Sequence, residues 1–235
     1  PKYPYRKAED FYPSFSTKSI VYEDDHFAVV FKPIGLPTHP NKEQTAHSLR
    51  TYLERYYRRR VHLPSRLDTA TCGLVPVSIH GMMHQQLQRL FERRLVEKCY
   101  LCGVDSPPPA DHFCVDAPIR RSAIHAVLRE VGEPGGDPAE THFEFLNAVE
   151  GRSGTTYYLH AYPVTGRTHQ IRVHLASFVG PIRGDRFYGG PPAEELHLMC
   201  SKLSLFHPVL KKQITVVAPR RLLPEWAKAA EIVAS

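Results

Sequence analysis

The chain has 235 residues, 42% of them apolar, which is enough to bury the core of one domain, and 30 Lys and Arg against 24 Asp and Glu leave a net charge of +6. No stretch approaches the roughly 20 apolar residues of a membrane span, and Pro1 to Phe15 lacks the apolar core of a signal peptide. Five cysteines, Cys72, Cys99, Cys102, Cys114 and Cys200, have neither the density nor the regularity of a secreted disulfide framework, so a reducing compartment is expected.

A basic chain favours an anionic partner, nucleic acid or a membrane surface. Residues 1–19 read as an N-terminal extension, residues 20–219 as one domain and residues 220–235 as a helix packed on it. In chain order, Ile20 to Tyr22 and Phe27 to Phe31 read as a hairpin around Glu23-Asp24-Asp25 that stops at Pro33, and Pro33, Gly35, Pro37 and Pro40 hold an irregular loop. Leu49, Leu53 and Tyr56 recur at helical spacing between Ala46 and Arg60. Leu74 to Ile79 is a short apolar strand feeding a helix from Met82 to Leu95, with Met83, Leu87, Leu90 and Phe91 as its buried stripe. His80 and His84 are four apart, but Gly81 stands where a zinc-protease helix needs Glu, so surface histidines are expected.

Val96 to Val104 reads as a strand, in which Cys99 and Cys102 point to opposite faces and are expected to be ordinary thiols. Pro107-Pro108-Pro109 and Gly132 to Pro138 are loops enclosing a segment of indistinct pattern. Two further strand pairs follow. One joins His142 to Val149 with Thr155 to Ala161 through a turn at Glu150 to Gly154, and the other joins Lys202 to Leu205 with Gln213 to Val217. Helices are expected from Arg167 to Phe178 and from Glu225 to Val233. Strands outnumber helices and no βαβ alternation appears, so the expected class is α+β with a mixed, mainly antiparallel sheet flanked by helices and loops.

Three segments carry candidate chemistry. Ser65-Arg66-Leu67-Asp68-Thr69-Ala70-Thr71-Cys72-Gly73 describes a tight loop presenting a carboxylate beside a cation before a buried strand, and by itself it fits a structural ion pair better than a reactive acid. Val164 to Leu175 crowds Arg167, Gln170, Arg172 and His174 into the first turns of a predicted helix. Cations there oppose the macrodipole, which suggests a bound anion or a carboxylate partner. Gly184-Asp185-Arg186-Phe187-Tyr188-Gly189-Gly190 is a Gly-flanked loop that a fold alone would explain.

In this order the motifs resemble those of the RluA-type RNA pseudouridine synthases. S-R-L-D-T-A-T-C-G at 65–73, K-C-Y at 98–100, G-R-T-H-Q-I-R-V-H at 166–174 and G-D-R-F-Y at 184–188 match that family's signature, with weaker echoes in K-P-I-G-L at 32–36, A-E-T at 139–141 and H-P at 207–208. The resemblance implies a pseudouridine synthase fold and isomerisation of uridine to pseudouridine in structured RNA, ribosomal or transfer. It implies Asp68 as the catalytic carboxylate, Tyr100 stacked on the base and Arg172 as the partner of the acid. Arg66 would fill the stack that the flipped nucleotide leaves, and Arg167, His169 and Gln170 are candidates for RNA contact. A carboxylate serves as nucleophile or as base, so no metal and no coenzyme is required.

Ser65 stands where the family has His, Cys72 where it has Ser, Phe31 where it has Asn and Met199 where it has His. These departures remove no catalytic group, but they keep a second reading open: a synthase fold acting as an RNA-binding ribosome assembly factor. No S4-type RNA-binding domain is recognisable, so substrate choice is expected to rest on the catalytic domain or on a partner. Expected partners are RNA and, as a further candidate, ribosomal assembly proteins. A monomer is expected, in the cytoplasm or the mitochondrion and not at a membrane.

Overall fold

The computed structural model describes residues 15–40, 47–151 and 154–232. The chain divides into two compact units, one formed by residues up to Val96 with Lys202–Leu222 and the other by Glu97–Ser201 with the segment from Leu223 onward. Pairing within the units is antiparallel and few helices accompany the strands, which gives the α+β class expected from the sequence.

In the first unit, β1 (Ile20–Glu23) and β2 (Phe27–Lys32) meet at Asp24, whose Oδ1 accepts from the backbone N–H groups of His26 at 2.8 Å and Phe27 at 3.0 Å. A short acidic side chain that bonds the backbone two and three residues on makes this turn. All six residues of β2 are buried, a continuous apolar run closed by Lys32 and Pro33. β3 (Cys72–Ser78) pairs with it in a register from Phe27 opposite Ser78 to Lys32 opposite Gly73. Gly73 holds φ at 115°, a conformation that favours glycine, so the chain can turn into the strand directly below the Asp68 loop.

Helix α1 (Leu49–Tyr57) starts at Ser48, whose Oγ accepts from Thr51 N–H at 3.1 Å. It stops short of the expected Arg60 because Arg58 adopts a left-handed φ of 52°. The expected helix start at Ala46 lies outside the described residues. Helix α2 (Gly81–Glu92) buries Met83 and Leu87, while His84 Nδ1 lies 2.7 Å from Ser78 Oγ. The Lys202–Phe206 part of β10 (Leu198–Phe206) pairs with β11 (Gln213–Val217). His207 closes that hairpin: its Nδ1 accepts from Val209 and Leu210 N–H, and its Nε2 lies 3.2 Å from Asp24 Oδ2.

In the second unit, β4 (Val96–Val104), β5 (His112–Asp116), β8 (Glu140–Gly151) and β9 (Gly154–Pro163) follow the order β4-β9-β8-β5. The indistinct segment after Pro109 forms β5 and a separate small hairpin of β6 (Ile119–Arg121) and β7 (Arg129–Val131). The expected turn at Glu150 to Gly154 includes residues 152 and 153, which lie outside the described residues. Cys99 and Cys102 sit in β4 and are both buried, with Cys102 Sγ 3.4 Å from Leu159 O. Helix α3 (Gln170–Phe178) packs Ile171 and Leu175 onto Cys102, Phe143, Leu159 and Ala161. Helix α4 (Glu225–Ile232) is fixed by Asn147 Nδ2 donating to Ala230 O and by Trp226 stacked on His197 with centroids 4.7 Å apart. Among the described residues, no helix is long and apolar enough to cross a membrane.

Candidate active site

The Asp68 loop is held from below by the irregular segment that follows β2. Thr38 Oγ1 donates to Leu67 O at 2.7 Å and accepts from Leu67 N–H at 3.1 Å, so one hydroxyl satisfies both backbone groups of the residue before Asp68. Thr71 N–H donates to Asp68 O at 3.0 Å and Gly35 N–H donates to Thr69 O at 2.9 Å. With the backbone bonded on both sides, the carboxylate is carried on a defined turn, partly exposed.

Lys32, to which sequence reasoning gave no role, is fully buried beneath this loop. Its Nζ donates to the carbonyls of Leu36 at 2.7 Å, Pro33 at 3.0 Å and Thr69 at 3.3 Å, so three donors meet three acceptors that belong to the two loops. Burial pulls this ammonium down to about 7, while the charges of Cys72 and Asp68 act in the opposite direction. The signal was present in the sequence as a lysine ending an otherwise apolar strand. Lys32→Met is expected to leave those carbonyls unsatisfied and to lower stability by about 3 kcal/mol. It should also reduce kcat at least about tenfold with KM for RNA nearly unchanged, because the side chain is shielded from solvent. Steady-state kinetics beside a urea titration would check both; a raised KM with normal kcat would refute the assignment.

Arg66 is exposed and hydrogen-bonds nothing among the described residues. A cationic surface continues around it: burial, and then the charges of Arg50, Arg66 and His62, hold His39 below its ordinary value.

The second unit carries Tyr100 and Arg172. Tyr100 lies on β4 opposite Ala161, half-buried against the cluster that includes Ile171 and Leu175. Arg172 is 3% exposed, and its Nε and Nη2 each reach an Asp185 oxygen at 2.7 Å. Its guanidinium also lies 5.2 Å from the ring centroids of both Phe187 and Tyr188. Asp185 Oδ1 further accepts from the N–H groups of Phe187 and Tyr188. The Gly184 to Gly190 loop is therefore the cradle of Arg172. Gly184, at φ 79°, permits this because a Cβ there would sit 2.0 Å from Glu195 O.

The helix expected from Arg167 begins instead at Gln170, because His169 takes a left-handed φ of 58°. Arg167 thus precedes the helix; its Nε donates to Pro138 O at 3.0 Å and its guanidinium remains more than a third exposed. Gln170 is 3% exposed and fully bonded: its Oε1 accepts from Thr165 Oγ1 and Arg167 N–H, and its Nε2 donates to Glu140 O and Thr141 Oγ1. His169 is 9% exposed, with Nδ1 2.8 Å from Tyr188 Oη. Gln170 and His169 are buried and support this turn, while Arg66 and Arg167 are the more exposed of the four.

Thr141 extends the chain of bonds. Its hydroxyl, accepting from Gln170, donates to His174 Nδ1 at 3.0 Å, and His174 Nε2–H donates to Ala117 O at 3.0 Å. This fixes a neutral imidazole, which burial holds below the usual 6.5. Burial, and then the charge of Arg183, lowers His197 further, to about 4. With folded values below unfolded ones, the unfolded chain takes up these protons first, so stability is complete above about pH 6.5 and falls as pH drops toward the folded values. The urea midpoint is expected to decline from about pH 6.5 to pH 4, and His174→Gln to flatten part of that slope. A midpoint independent of pH in this range would contradict it.

The geometry can now be set beside known proteins. A family model described as RNA pseudouridylate synthase matches residues 26–177. The chain is 35% identical over 207 residues to the dual-specificity RNA pseudouridine synthase RluA of Escherichia coli, covering 85% of this chain and 92% of the relative. It is 32% identical over 227 residues to the uncharacterized RNA pseudouridine synthase YhcT of Bacillus subtilis, covering 91% and 72%. Two solved human structures share the fold. RNA pseudouridylate synthase domain containing 1 gives a TM-score of 0.75 at 22% identity over 90% of this chain and 86% of that one. Domain containing 4 gives 0.71 at 24% identity over 91% and 92%.

Proposed function

The chain belongs to the RluA-type RNA pseudouridine synthases and isomerises uridine to pseudouridine in RNA, and on that premise we propose that Asp68 is its reacting carboxylate. The observation that carries the assignment is the loop itself, in which Thr38, Gly35 and Lys32 fix the backbone around Asp68. A group that must meet C1′, C2′ or the base of an extruded nucleotide needs such fixation, since small displacements at the reacting atoms lower rates steeply.

The remaining roles follow from chemistry. The reaction breaks the bond from C1′ to N1, turns the uracil and joins C1′ to C5, with the C5 proton leaving at the end; nothing is oxidised. Asp68 attacks as a nucleophile or removes the C2′ proton. Tyr100 offers an aromatic face to the detached uracil, and Arg172, forked onto Asp185, is the buried cation of its unit. Arg66 enters the stack vacated by the flipped nucleotide, and Arg167 holds phosphate. The substrate is structured ribosomal or transfer RNA, a reading supported by the net charge of +6 and the exposed arginines. The enzyme acts in the cytoplasm or mitochondrion, a reading supported by five cysteines that form no disulfide among the described residues.

The test is to map pseudouridine at nucleotide resolution in ribosomal and transfer RNA from cells with and without this chain, and then to restore the native protein. Loss of one or a few sites, recovered on restoration, identifies the substrate. Retention of every site refutes the reading.

A further inference from the structure

The face of the second unit's sheet that turns away from its core carries a group of unlike donors. In the β5/β8 pair, Cys114 lies directly opposite His142 and Asp116 opposite Glu140. Phe113 and Phe143, the neighbours of Cys114 and His142, stack at 4.9 Å within the core. Alternation along each strand then puts Cys114, His142 and Glu140 together on the opposite face. One donor atom from each of these three residues lies within 4.8 Å of the others, and His142 Nε2 is 2.9 Å from Glu140 Oε1.

We propose that Cys114, Glu140 and His142 bind a divalent cation of the zinc class. A thiolate, an imidazole and a carboxylate are a sulfur, nitrogen and oxygen set that suits zinc and disfavours magnesium and calcium, which take oxygen ligands. Zinc bonds of about 2.0 to 2.3 Å put tetrahedral donors about 3.3 to 3.8 Å apart, so His142 and Glu140 would part slightly and the thiol would draw in, shifts within reach of side-chain rotation. The fourth position is open to water or to Asp116, the carboxylate opposite Glu140.

The backbone beneath the site is already fixed. Glu140 N–H donates to Thr165 Oγ1, and Glu140 O accepts from Gln170 Nε2 and from Val164 N–H. Two of the three ligands therefore sit on a strand paired on both sides, and the third on the edge strand β5. Binding would replace the bond between His142 and Glu140 with a cross-strand brace tying the edge strand to its neighbour, and would release the thiol proton. The C-x-x-C of Cys99 and Cys102, the more conspicuous metal pattern in the sequence, is instead buried in β4.

The test uses the full chain, stripped of metal and titrated with zinc ion against a chromophoric chelator. One equivalent should bind with Kd below about 1 µM, and cobalt ion in its place should give a thiolate charge-transfer band in the near ultraviolet. Cys114→Ser and His142→Ala, both at exposed positions, should each weaken binding at least about tenfold with circular dichroism unchanged. His125→Ala, at an exposed histidine elsewhere, should leave binding as it was. Wild-type affinity weaker than about 1 µM, absence of the cobalt band, or less than tenfold weakening in either ligand variant would overturn the site. Because the readout is binding alone, failure here leaves the isomerase assignment untouched.

Discussion

Asp68→Asn is expected to reduce pseudouridine formation at least about a thousandfold while leaving RNA affinity within about twofold of wild type. The amide preserves the size of the side chain and every backbone bond of the loop, since Leu67 stays on Thr38 and Thr71 stays on Asp68 O. It removes the charge and basicity that either route to the isomerisation requires. The measurement is release of tritium from RNA carrying uridine labelled at C5, with affinity followed separately by filter binding at fixed salt, because phosphate contacts make affinity salt-dependent. Tritium release at more than about a tenth of the wild-type rate would mean that the reacting group lies elsewhere. Lost activity together with lost affinity would mean that the loop had collapsed, and Asp68→Glu would then separate charge from shape.

Asp185→Asn carries the second large effect, on stability. Arg172 is almost entirely buried and its fork is matched by both carboxylate oxygens. An asparagine keeps one acceptor and turns an amide N–H₂ toward the guanidinium, taking the Asp185 charge away from a buried cation. Breaking such a pair costs about 3 to 5 kcal/mol, which should appear as a lowered urea midpoint with the slope unchanged. The double variant Asp185→Leu with Arg172→Met removes both charges and should recover part of the loss. Recovery is incomplete because Phe187 and Tyr188 N–H also lose their acceptor. If Arg172 serves catalysis as well as packing, the double variant regains stability but not activity; if it regains both, the pair is structural alone. An Asp185→Asn midpoint close to wild type would show that the pair adds little to folding.

Most elements were legible because burial repeats with the period of each structure. The apolar run of β2 and the Met83 and Leu87 stripe of α2 appear where the pattern put them. The segment holding β5 was not, since its strand is at an edge and buries only Val115 fully, so alternation has little amplitude there. The start of α3 was misplaced by three residues because His169 adopts a left-handed conformation held by tertiary contact with Tyr188, which local propensity cannot register. At the candidate site, the crowding of basic groups suggests a bound anion or a carboxylate partner, and Arg172 forks onto Asp185, in a loop that a fold alone would explain. Lys32 was passed over because its acceptors, the carbonyls of Pro33, Leu36 and Thr69, are backbone atoms on which the sequence is silent.

The burial of the Gln170 to Leu175 run also bears on how such chains are to be diagnosed. Every residue in that run is buried, and its polar members bond Thr141, Asp185 and the backbone. Much of the most recognisable stretch of the sequence is thus held by architecture, and a lineage that had abandoned isomerisation would still be obliged to spell that part. A duplicate gene carrying the run intact with Asp68 replaced would pass as an enzyme in any comparison weighted by length of match. In screening genomes for silent copies of this enzyme, the informative character is the single acidic letter in the loop.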